Sequence, residues 1–133
     1  MADGLKLIQM TGKDDDPAFG FVYSAMRDSL RHQSDLSDAE YYKSYGAEIA
    51  RLLKDPDTQT MVLVYDDPLL TDEYLGFIVT IGDELIYVYV KSAFRCAGLA
   101  DWMLNTIGDI RRVGKYRSNV PAFQIALEQR GIQ

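Results

Sequence analysis

Six residues stand out for the chemistry their types and spacing allow: Arg95-Cys96-Ala97-Gly98-Leu99-Ala100, between a stretch of strand character and one of helical character. The first turn of a helix presents backbone N–H groups with no partner inside the helix, and with them a partial positive charge. Small residues at 97, 98 and 100 let an anion come close to that backbone, so the construction suits a pyrophosphate or a similar group. It is not a nucleoside-triphosphate P-loop, because no Gly-Lys-Ser/Thr follows, and it lacks the Gly-x-Gly spacing of a dinucleotide fingerprint. Cys96 lies inside this loop, where a helix N-terminus would lower its thiol pKa; it is either a reactive thiol or a tolerated small residue.

Other candidates have plainer readings beside the chemical one. His32 is the only histidine and Cys96 the only cysteine, so a usual zinc site and an internal disulfide are both excluded. His32 follows a predicted helix and reads as a C-terminal cap. Asp14, Asp15 and Asp16 precede Pro17, where acids complement the positive end of a helix; a metal would need further oxygen ligands. Tyr41, Tyr42 and Tyr45 form an aromatic cluster that lines either the core or a substrate groove. Arg111, Arg112, Lys115 and Arg117 are the one basic cluster. They serve the dipole of a helix C-terminus, or contact a phosphate or an acidic partner.

The elements that must position these residues are legible from periodicity. Leu5 to Met10 predicts a strand, and Phe19, Val22, Tyr23, Met26 and Leu30 recur at helical spacing after Pro17. Ser37-Asp38-Ala39-Glu40 is a capping box, opening a helix with Tyr42, Tyr45, Ile49, Leu52 and Leu53 on one face and a stop near Asp55-Pro56. Thr60 to Tyr65, Tyr74 to Ile81 and Glu84 to Lys91 predict three strands. The Gly82-Asp83 turn joins the last two, and all three form an antiparallel meander. A helix is expected from about Leu99 to Val113, a short strand over Lys115 to Asn119, and a closing helix from Pro121 to Arg130 with Gly131 at its C-cap. The order is that of an α/β fold with a mostly antiparallel sheet.

The 133 residues have the length of one domain, 1–133, with 47% hydrophobic and 26% charged residues, an ordinary globular composition. No apolar run approaches the roughly 20 residues of a membrane helix. The start lacks the layout of a secretory signal, so a cytoplasmic protein is expected. Fourteen basic against twenty acidic residues leave a net charge of −6, which disfavours nucleic acid as a partner.

The stretch Val90-Lys91-Ser92-Ala93-Phe94-Arg95-Cys96-Ala97-Gly98-Leu99-Ala100 resembles the acetyl-CoA signature of the GNAT family of N-acetyltransferases, Arg/Gln-x-x-Gly-x-Gly/Ala. Gly76-Phe77-Ile78-Val79, the strand Ile86 to Val90 and the segment from Asn119 to Ile132 resemble its other elements in order. The resemblance implies a mostly antiparallel mixed sheet flanked by helices. It also implies acetyl-CoA as co-substrate and direct acyl transfer to an amine without a covalent enzyme intermediate. The backbone amides of Arg95, Cys96, Ala97, Gly98, Leu99 and Ala100 would hold the CoA pyrophosphate. The backbone of Val88, Tyr89 and Val90 would pair with the pantetheine arm, and Asn119 would contact the arm further along. A backbone N–H there would polarise the thioester carbonyl. Glu84 stands where the family often keeps a general base, and is otherwise a surface acid beside a turn. Tyr87 and Tyr89 are alternative proton carriers, or pack against cross-strand neighbours.

Two departures complete the resemblance. Leu127 occupies the place of the family's general-acid tyrosine, and the sequence reaches Gln133 where the family starts two further strands. A short member of this kind, similar in size and type to phage-encoded members, is expected to expose a sheet edge. A second copy or a larger assembly would cap that edge. The alternative to an enzyme is a catalytically inactive protein of the same fold serving as a binding or structural subunit, such as a phage particle component located in the virion.

Overall fold

The computed structural model describes residues 4–11, 16–31, 35–70, 73–91, 99–108 and 110–113. Strand β1 (Leu5–Met10) leads into helix α1 (Pro17–Ser29) and helix α2 (Asp38–Lys54). Strands β2 (Thr58–Tyr65), β3 (Tyr74–Ile81) and β4 (Glu84–Val90) follow, then helix α3 (Leu99–Ile107) and strand β5 (Arg112–Val113). The five strands lie in sequence order across one sheet. The first three pairings are antiparallel and β4 pairs with β5 in parallel. The parallel pair needs a crossover, and α3 supplies it.

Helices α1 and α2 start where a side chain satisfies their free N–H groups. The Asp16 carboxylate accepts the Ala18 N–H at 2.9 Å, and also the N–H and hydroxyl of Thr11 at 2.8 and 3.1 Å. One side chain therefore caps α1 and ties it to the end of β1. Partial burial pushes this carboxyl up, but the hydrogen bonds from Thr11 and Ala18 outweigh it and hold it below its ordinary value. Ser37 Oγ accepts the Glu40 N–H at 3.3 Å and caps α2.

The sheet separates two apolar layers. On one face α1 and α2 bury Val22, Met26, Ile49 and Leu53 against Val62, Phe77 and Val79. On the other, α3 buries Leu99, Met103 and Leu104 against Leu63, Ile78, Leu85 and Val88. Each such side chain is worth roughly 1.5–3 kcal/mol relative to exposure. Among the described residues no helix is long and apolar enough to cross a membrane.

Two expectations need correction. The buried tyrosine of α2 is Tyr41, while Tyr42 is 43% exposed. The stripe that faces α1 runs Tyr41, Tyr45, Ile49 and Leu53 at strict i, i+4 spacing, one residue out of phase with Tyr42. Helix α3 stops at Ile107 rather than running to Val113. Gly108, at φ +71°, donates its N–H to the Leu104 carbonyl and ends the helix in the left-handed region that favours glycine. The chain then turns so that the N–H groups of Arg111 and Arg112 both donate to the Asp83 carbonyl, and Arg112–Val113 become a strand. The strand expected over Lys115–Asn119 and the closing helix from Pro121 lie outside the described residues.

Candidate active site

Strand β4 and the start of α3 are the described parts of the expected site. Along β4 the register against β3 shifts between Val79 and Thr80, so Ile86 is an extra residue opposite no single partner. Both Ile86 and Tyr87 turn to the α1/α2 layer at this bulge, whereas Leu85, Val88 and Val90 lie under α3. Glu84 and Leu85 pair with Arg112 and Val113 on the far edge, and among the described residues β5 reaches no further along β4. The pairing is stapled at its root: the Arg112 guanidinium reaches the Asp83 carboxylate at 3.0 Å, beside the two backbone bonds to the same residue. Arg112 of the basic cluster is thus engaged within the fold; Lys115 and Arg117 lie outside the described residues.

Further along β4 the main-chain groups alternate between the two edges of the strand. The Lys91 N–H donates to the Leu75 carbonyl at 2.9 Å. Antiparallel alternation therefore turns the main-chain groups of Tyr89 and Lys91 toward β3, and those of Val88 and Val90 away from it. Gly76 fixes the position of this stretch. A Cβ there would collide with the Tyr89 carbonyl oxygen and lie 3.2 Å from the Val90 Cα. Only glycine allows β3 and β4 to approach so closely at this point. Leu99 opens α3 and is buried against the Val88 side of the sheet. Ala100 belongs to the same first turn. Arg95, Cys96, Ala97, Gly98, Asn119, Leu127 and His32 lie outside the described residues.

On the opposite face of β4, Tyr89 packs against its cross-strand neighbour, one of its two expected roles, and is joined by Phe21, Tyr74 and Lys91, which the sequence reading gave no role. Phe21 of α1 stacks on Tyr74 with ring centroids 5.4 Å apart and meets Phe77 and Tyr89 edge-on at 5.9 and 6.2 Å. Tyr89 in turn stacks on Phe77 at 5.4 Å. The Lys91 ammonium sits 5.3 Å from the centre of the Phe21 ring. Phe77 is fully buried, while Phe21, Tyr74, Tyr89 and Lys91 are half-buried. The signal was present in the alternation Tyr87, Tyr89, Lys91 along one strand. Phe21 falls beside the recurrent positions of α1, and only the fold brings it to them.

Tyr87, Tyr41, Tyr42 and Tyr45 have structural contacts. The Tyr87 hydroxyl is buried and hydrogen-bonded to Ser29 Oγ at 2.6 Å. Tyr41 donates its hydroxyl to the Arg27 carbonyl, a last-turn acceptor of α1 that has outrun its own helix. Burial, with the neighbouring Tyr45, pushes the Tyr41 hydroxyl up to about 12, although the Arg31 guanidinium lies over its ring at 4.9 Å and works against the rise. Tyr45 and Tyr42 pack on Tyr41 at 4.8 and 5.3 Å, so the expected cluster forms, as lining between the two helices. Among the described residues no group of acidic, His or Cys side chains is placed to hold a metal ion.

This arrangement has a counterpart among solved structures. The crystal structure of a possible acetyltransferase from Clostridium difficile 630 matches 97% of this chain and 91% of its own, with a TM-score of 0.56 and 15% sequence identity. The chain has a GNAT-like fold. At that identity the likeness is one of architecture. No protein-family profile matches the sequence, and no curated protein does either.

Proposed function

We propose that this chain is an acyl-CoA-dependent N-acetyltransferase that moves an acetyl group from acetyl-CoA directly to an amine. The observation that carries the reading is the far edge of β4. In a GNAT-like sheet, Val88 turns its main-chain groups outward past the last described pairing with β5. In the sequence, that strand is followed by the Arg95–Ala100 segment, which ends in the first residues of α3. A pantetheine arm laid along that edge would add as a short strand, with the pyrophosphate at the helix N-terminus. A β4 N–H would then stabilise the oxyanion as the amine attacks.

Glu84 as general base has a longer reach to make. It lies four residues before Val88, roughly 13 Å along a strand at about 3.3 Å per residue. It would therefore act through bridging water rather than by touching the amine. The rival reading is a binding or structural subunit that keeps the fold without the chemistry, and Leu127 in the place of the family's general acid favours it.

Calorimetric titration with acetyl-CoA, with CoA as the control, separates the two. Micromolar binding is expected. No binding at millimolar ligand would leave the loop without its ligand and turn the search to partner chains.

A further inference from the structure

We propose that the acceptor is an amine borne on an aromatic or apolar body that also carries a carboxylate, an aromatic amino acid being the simplest case, and that Lys91 binds the carboxylate. This deepens the acetyl-transfer reading and rests on it. A thioester held along the edge of Val88–Val90 can be approached from either face of the sheet. The α3 face is closed, because Val88, Val90, Leu99, Met103 and Leu104 are all at most 5% exposed. The amine must come from the other face, where Phe21, Tyr74 and Tyr89 form a half-buried aromatic wall.

Lys91 decides the charge of what that wall accepts. Its ammonium rests on the Phe21 ring and, among the described residues, has no carboxylate within ion-pairing range. This half-buried cation has no acid partner among the described residues, in a chain with twenty acidic and fourteen basic residues. A ring face already holding an ammonium disfavours a second cation and leaves an anion well served. A polyamine, which the net charge alone would favour, is therefore the poorer acceptor here.

In the transfer, the neutral amine nitrogen forms a bond to the thioester carbon and the C–S bond breaks. CoA leaves as the thiolate and takes up the proton that the nitrogen releases, giving the amide and CoA thiol.

The test follows CoA thiol release with phenylalanine, phenethylamine and spermidine as acceptors. Phenethylamine keeps the ring and the amine but lacks the carboxylate. Phenylalanine is expected to be the best of the three by kcat/KM. Lys91→Gln should raise its KM at least tenfold while leaving phenethylamine within twofold, which also shows the variant to be folded. Preference for spermidine or phenethylamine, or an equal effect of Lys91→Gln on both aromatic amines, overturns the proposal. Acetyl-CoA binding by calorimetry with no transfer to phenylalanine overturns the acceptor alone. Absence of acetyl-CoA binding overturns the acetyl-transfer reading and the acceptor with it.

Discussion

Thr60 sits on the middle of β2 facing the α1/α2 layer, 2% exposed, and its hydroxyl finds no hydrogen-bond partner among the described residues. A buried hydroxyl without a partner carries its desolvation cost with nothing in return. Thr60→Val keeps the shape and the β-branch, so it should raise stability by about 1 kcal/mol. A higher urea midpoint with an unchanged m-value is the expected result; a lower midpoint would mean the hydroxyl is paired. Tyr41 is the opposite case, a buried hydroxyl that closes an open carbonyl. Its pKa is raised from an ordinary value near 10 to about 12, so the folded state holds the proton more tightly than the unfolded chain. Its contribution to stability is complete below about pH 10 and is lost as the pH rises toward 12. Tyr41→Phe should flatten that part of the pH–stability curve relative to wild type. It should also cost roughly 1–3 kcal/mol by leaving the Arg27 carbonyl without its donor.

At the scale of elements, the close approach of β3 to β4 is the feature most sensitive to a single methyl group. The atoms that an added Cβ at Gly76 would meet are backbone atoms of Tyr89 and Val90, which cannot rotate away. Gly76→Ala should therefore cost on the order of 1–3 kcal/mol and displace the end of β4. Because that end is the proposed pantetheine strand, acetyl-CoA affinity should fall at least tenfold by calorimetry; an unaltered Kd would detach the cofactor from this edge. Strands β1 and β3 were legible in the sequence to the residue, since their apolar stretches end at Gly4, Thr11, Glu73 and Gly82. The end of α3 was not. Trp102, Met103, Ile107 and Ile110 keep helical spacing past the break, and both Arg111 and Arg112 suit a helix terminus. The one local sign was Gly108, because a glycine inside a helical pattern is often its C-cap. The aromatic wall was illegible for a different reason: Phe21, Tyr74, Tyr89 and Lys91 come from three elements, and no local pattern links them.

For the molecule as a whole, ligand binding and folding are one equilibrium. A ligand that binds only the folded chain adds RT ln(1 + [L]/Kd) to its stability, about 2.7 kcal/mol at a hundredfold excess over Kd. For a chain of this length each kcal/mol moves the melting point by roughly 3–5 °C, so saturating acetyl-CoA should raise Tm by about 10 °C. The acidic surface, with a net charge of −6, works against a polyanionic ligand at long range. On the proposed reading, the affinity would come from the segment 95–100, which the sequence marks as an anion loop, and from strand pairing along β4. A single anion introduced into that segment should be enough to remove it. Gly98→Glu, which adds both bulk and negative charge there, is expected to abolish the acetyl-CoA shift in Tm. An undiminished shift in that variant would place the cofactor elsewhere on the fold.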